Sequence, residues 1–223
     1  MSHSFLTIML LVTLNISCSN QENNQDNIDR TDQTQSSQDK YLIELKKFPS
    51  TLVDFFPNKI SETYGYSQTT DITNECIYFF YYSLRNNEAN SIDSSFRIEA
   101  KVNYNAFDTN IISIRSKSLI HENPTQERFY ENRVIGDHNY FPIPYFQRKD
   151  LSKIGITDSI YSIESPCGLS KDFKIYLLES KPGRFWKGLK PSEKMPKGWE
   201  NGFSKGVSVN TKSQTIIYWF VIW

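Results

Sequence analysis

Apolar and polar positions divide the chain into regions of different period. Phe5 to Leu14 reads FLTIMLLVTL, ten residues broken only by Thr7 and Thr13. A membrane-spanning helix needs about 20 apolar residues, so this run is too short to span and has the length of a signal-peptide core. Residues 21–38 are almost wholly Asn, Gln, Asp, Ser and Thr, with Ile28 as the one aliphatic side chain. Such a stretch cannot bury enough apolar surface to offset the entropy of ordering, which predicts a polar tether.

Beyond the tether the pattern predicts a fold. Asp39 can cap a short helix through Lys47, and after Pro49 a second turn, capped by Ser50, runs to Phe56. Cys76 to Leu84 (CIYFFYYSL) is an aromatic strand. Phe96 to Tyr104 alternates, with Phe96, Ile98, Ala100, Val102 and Tyr104 on one side, and reads as a strand of period two. Further strands are expected at Asn110–Ser116 and Phe173–Leu178. Gly206–Asn210 and Thr215–Trp223 flank Thr211-Lys212-Ser213-Gln214, a hairpin signal. The last strand is apolar on both faces and belongs in the middle of a covered sheet. Short helices are expected at Asn123–Arg133 and Lys149–Ile154, and Tyr140–Phe146 is extended because its prolines exclude helix. Residues 40–223 thus read as a single α+β domain with an antiparallel-rich sheet and a few short helices.

Composition narrows the class. The chain is 38% hydrophobic and 22% charged, in the globular range. Formal net charge is zero, but residues 18–39 carry Glu22, Asp26, Asp29, Asp32 and Asp39 against Arg30. That leaves 24 basic and 20 acidic residues in 40–223, too small an excess to indicate nucleic acid. Between apolar run and tether lies Asn15-Ile16-Ser17-Cys18-Ser19-Asn20. With its small residue before the cysteine, this resembles the lipobox of bacterial lipoproteins. The resemblance implies a signal peptide over 1–17, lipidation of Cys18, a tether over 18–39, and a domain lipid-anchored to a membrane of the cell envelope, the outer membrane if the cell is Gram-negative. It departs from the pattern at Asn15, where Leu is usual, and in having no Lys or Arg before Phe5.

Motifs for chemistry are sparse. Gly202-Phe203-Ser204-Lys205-Gly206 matches G-x-S-x-G, but a strand follows it where a nucleophile elbow requires a helix, and no His occurs after His138. The glycines are expected to make a turn or bulge. Cys167, in Pro166-Cys167-Gly168, has no signature of a cysteine hydrolase around it and reads as a turn residue. Cys76 and Cys167 are the two cysteines left once Cys18 is lipidated; an oxidising compartment can pair them, and two buried thiols are the alternative. His121 and the Asp137-His138 pair fit no metal spacing, and no glycine pattern for a nucleotide is present, so no metal or cofactor is expected.

One region concentrates cations and rings. Lys181 to Gly206 holds Lys181, Arg184, Lys187, Lys190, Lys194, Lys197 and Lys205 against Glu193 and Glu200, interleaved with Phe185, Trp186, Trp199 and Phe203. A long connection of this kind can bind an acidic protein face, a glycan or a phosphate. The bland reading is a solvated loop whose rings cover the sheet and whose lysines keep it soluble. The candidate binding residues are Arg184, Phe185, Trp186, Lys187, Lys190, Trp199 and Phe203. The expected function is that of a non-catalytic envelope binding lipoprotein, a toxin-neutralising immunity protein being one version. The alternative is an envelope hydrolase acting on glycan or peptide, with carboxylate pairs such as Glu122 and Glu127 or Glu193 and Glu200.

Overall fold

A computed structural model describes residues 35–61, 64–69, 76–84, 87–115, 134–136, 140–146, 160–162, 164–193 and 195–223. The chain divides into two units, Met1–Lys40 and Tyr41–Trp223. In the first, residues 35–40 are described; they are helical, and Gln35 Nε2 donates to Asp39 Oδ1 at 3.0 Å. Asp39, expected as a helix cap, therefore stands inside a helix (α1, residues 35–45), because the Gln35–Asp39 pair closes a turn ahead of it.

The second unit is built on one six-stranded sheet. Its strands are β1 (Tyr64–Thr69), β2 (Ile77–Ser83), β3 (Val102–Asn105), β6 (Lys174–Pro182), β7 (Gly202–Asn210) and β8 (Thr215–Ile222). The order is β1-β2-β8-β7-β6-β3 and every pairing is antiparallel. A separate parallel pair joins β4 (Ile111–Ile114) to β5 (Phe141–Pro144). With the short helices α2 (Ser50–Val53) and α3 (Ala89–Glu99), this is the α+β, antiparallel-rich architecture that the pattern predicts.

Both faces of the sheet are covered, which explains why its central strands lack polar alternation. On one face Ile77, Phe79, Tyr81, Tyr218, Phe220 and Ile222 meet Tyr41, Leu45, Phe48, Leu52 and Phe56 from α1, α2 and their flanks. On the other, Tyr78, Phe80, Tyr82, Ile217, Trp219 and Val221 meet Ile111, Ile112, Phe141 and Ile143 of β4 and β5, with Phe146 and Cys167. Every residue of β8 is buried, as its two apolar faces require. The β7–β8 hairpin forms across residues 211–214. Asn210 Oδ1 accepts the backbone N–H groups of Lys212 and Ser213, and Gln214 takes a positive φ of 51°.

Two further expectations are corrected. Phe96–Glu99 is not strand but the last part of α3. Ala89, Ile92, Phe96 and Ala100 recur at helical spacing and pack on the sheet, while Ile98, placed on the same side as Phe96 and Ala100 by the period-two reading, is 87% exposed. The strand itself begins at Val102. Gly202 and Gly206 lie within β7 and make no turn; the irregularity is on the neighbouring strand, where β6 shifts register between Leu177 and Glu179. Gly206 is required there by close approach, since an added Cβ would stand 2.5 Å from Trp219 Cζ2. The extended Tyr140–Phe146 segment supplies β5, with Pro142 and Pro144 tolerated because a two-stranded pair leaves each strand an edge. The helices expected at 123–133 and 149–154 lie outside the described residues.

Candidate functional site

The cation-rich segment leaves β6 after Pro182 and enters β7 at Gly202, two residues paired in the sheet. Its ends are held by Gly183 N–H donating to Asn201 O at 3.0 Å, and by Gly202 and Trp223 exchanging two backbone bonds of 3.0 Å. Inside it, Ser192 N–H donates to Glu200 O at 2.7 Å and Trp199 N–H to Pro196 O at 2.9 Å. Closely held ends and internal bonds of this kind fix the path of a long surface connection.

Its aromatic side chains straddle the end of the sheet. On the helical face the Trp186 ring lies 5.8 Å from Phe48, Leu189 is buried, and Phe185 stands edge-on to Phe203 at 4.5 Å. On the opposite face Trp199 stacks on Trp223 at 6.4 Å and 14°, and Trp223 Nε1 donates to Trp199 O at 2.9 Å. Phe203 is buried and Trp186 and Trp199 half-buried; Phe185 is the loop's exposed ring, at 37%. The rings that the sequence offers as contact residues therefore act mainly as anchors. Arg184, Lys187, Lys190 and Lys197 are exposed, whereas Lys194 lies outside the described residues. Gly183, Arg184, Pro191, Gly198, Glu200 and Asn201 line a groove of about 390 Å³ in this loop.

Lys205 departs from the other cations. It is buried in β7, and its Nζ donates to Thr51 O at 2.5 Å and Asp54 Oδ1 at 3.1 Å, fastening the end of α2 to the sheet. Its other neighbour, Glu179 at 3.5 Å, is held below the usual carboxylate range by a hydrogen bond from Lys181, against the upward push of burial.

Among the described residues the candidate reactive groups do not assemble. Ser204 is fully buried, and its hydroxyl donates to Ser180 Oγ at 2.8 Å. Cys167 sits in a turn closed by Gly168, whose φ is +83°, and burial pushes its thiol up to about 11, the opposite of an activated nucleophile. Cys76 and Cys167 are both buried thiols with no bond between them. Glu193 is exposed, and Glu200 is held below the usual carboxylate range by the backbone N–H groups of Gly198 and of Glu200 itself, where a general acid needs the reverse. Among the described residues no group of His, Cys, Asp and Glu is placed to hold a metal ion. Cys18, Glu122, Glu127, His121 and His138 lie outside the described residues.

The chain matches no family model, no curated protein and no solved structure.

One polar cluster escapes sequence reasoning. Asp93 on α3 is 5% exposed, and its carboxylate accepts Tyr176 Oη at 2.5 Å, Arg97 Nη2 at 2.7 Å and Lys174 Nζ at 3.0 Å. Burial alone would raise this carboxyl, but the three donors outweigh it and hold the group below the usual range; the same buried carboxylate helps push the Tyr176 phenol up to about 12, after burial itself. The Asp93–Arg97 spacing of four is the one local signal of it; Lys174 and Tyr176 are some eighty positions away.

Proposed function

We propose that this chain is a membrane-anchored envelope lipoprotein whose folded unit is a non-catalytic binding module, and that loop 183–201 docks an acidic protein surface. The reading is supported chiefly by the loop's division of labour. Rings driven into both faces of the sheet hold the backbone, so the exposed Arg184, Lys187, Lys190 and Lys197 ride on a fixed frame, with Arg184 in the wall of the groove. A preordered loop loses little conformational entropy on binding, and clustered exposed cations speed encounter with an acidic partner. An immunity protein that neutralises a toxin by covering it needs no more than such a surface. Anchoring is supported by the order of apolar run, Cys18 and polar stretch; stable attachment takes more than one acyl chain, which the lipoprotein modification supplies.

The test is cross-linking in native cells with wild type and with Lys187→Glu/Lys190→Glu. Both side chains are exposed, so the double variant should melt with wild type and lose the cross-linked protein. Equal capture of that protein by both chains, or capture of a glycan in its place, overturns the loop assignment. Cys18→Ala should abolish incorporation of labelled fatty acid and release the chain from the membrane fraction; unchanged labelling refutes the anchor.

A further inference from the structure

A second site lies on the helical face of the sheet, at its β3 edge. Asn103 and Asn105 occupy alternate positions of β3, opposite Tyr176 and Lys174 of β6. Asp93 and Arg97 of α3 join Lys174 and Tyr176 there through the carboxylate described above. Between them is a cleft of about 200 Å³, lined by Arg97, Asn103, Asn105, Asp108, Lys174 and Tyr176 among others.

The chemistry of the walls selects the ligand. Arg97, Lys174 and Asp108 line the cleft, and both cations are paired with Asp93 beneath it, so these four side chains together carry no net charge. Both cations already serve Asp93, and an incoming phosphate would compete with a carboxylate that is bonded and nearly buried. The side-chain amides of Asn103 and Asn105 are exposed and make no hydrogen bond with the described protein. Each offers donors and an acceptor, and Arg97 keeps N–H groups beyond the one given to Asp93. Such a wall suits a neutral ligand whose groups both donate and accept. Pockets for drug-sized ligands run to about 300–1,000 Å³, so this smaller cleft has room for roughly one ring.

We infer that the α3–β3 cleft binds a single neutral sugar unit, a hexose or N-acetylhexosamine, either free or at the end of a glycan. The inference does not rest on the loop's role in docking a protein.

Saturation-transfer NMR on the full chain tests it, using glucose, galactose, N-acetylglucosamine, an oligosaccharide of each, and inorganic phosphate. Transfer to at least one neutral sugar is expected. Asn103→Ala/Asn105→Ala should weaken it at least about tenfold, the loss of two hydrogen bonds, with an unchanged melting temperature. Should that variant melt early, Asn103→Asp alone, which keeps the acceptor and removes the donors, carries the test. Lys187→Glu/Lys190→Glu should bind the sugar as wild type does, which separates this site from the loop. An oligosaccharide held about tenfold tighter than its monosaccharide identifies a glycan end as the source, and equal affinities identify the free sugar. Binding of phosphate alone, no transfer to any neutral sugar, or binding that survives both asparagine variants overturns the inference.

Discussion

Gly206→Ala should be among the more costly single-methyl additions in this protein. The new Cβ would stand 2.5 Å from Trp219 Cζ2 and closer still to the Tyr176 carbonyl oxygen. Carbon atoms pack at about 3.5–4.0 Å, so the obstacles must retreat by roughly 1 Å. Neither has room. The Trp219 indole is fully buried with its Nε1 bonded to Ser208 Oγ at 3.1 Å, and Tyr176 belongs to β6 just ahead of its register shift. Overpacking costs typically about 1–3 kcal/mol. A backbone obstacle places this case at the upper end, about 3 kcal/mol, which for a domain of this size lowers Tm by roughly 6–12 °C. Thermal melts followed by circular dichroism read this directly. Trp219→Ala alone should cost about 3–5 kcal/mol as a buried large-to-small change. Because Gly206 and the indole contend for one space, the double variant should be more stable than the sum of the two losses by about 1 kcal/mol. A Gly206→Ala protein melting within about 1 °C of wild type, or strict additivity, would refute the close approach.

Two further outcomes are expected. Lys205→Met keeps the apolar stem and removes the bonds to Thr51 O and Asp54, so it should cost about 1–3 kcal/mol and speed amide exchange over residues 50–56; unchanged exchange there would mean that Lys205 does not fasten α2. Asp93 has a folded pKa below its unfolded value of about 3.9, so its stabilisation is present above that value and is lost as pH falls through the lower folded pKa. The gap in urea midpoint between wild type and Asp93→Asn should therefore be widest near neutrality and close in acid, and a gap constant from pH 7 to pH 2 would contradict the lowered pKa.

Much of the fold is legible because burial on both faces leaves a local mark. Ile77–Ser83 and Thr215–Ile222 have no polar period, and such runs belong at the centre of a covered sheet whatever lies beside them. The misreading at Phe96–Glu99 has an equally local cause. Phe96, Ile98 and Ala100 satisfy period two, while Ala89, Ile92, Phe96 and Ala100 satisfy the helical period, and the nine-residue window ending at Tyr104 contains only the former in full.

The basic, aromatic composition of loop 183–201 is plain in the sequence, but whether its rings meet a partner or the core is not. That depends on residues from elsewhere in the chain arriving beneath the loop, as Phe48, between α1 and α2, and Trp223, just past β8, do. The polar cleft is a stronger case. Asp93 acquires its partners from β6, over eighty residues away, and the amides of Asn103 and Asn105 face them only because β3 pairs with β6 in one register. Period and composition are properties of neighbours along the chain, and they determine the central strands, the hairpin and the polar stretch before Tyr41. Convergence of side chains is a property of strand order and register, which long-range pairing sets, so the tertiary structure alone decided which rings anchor, which cations stay in water and where a ligand could sit.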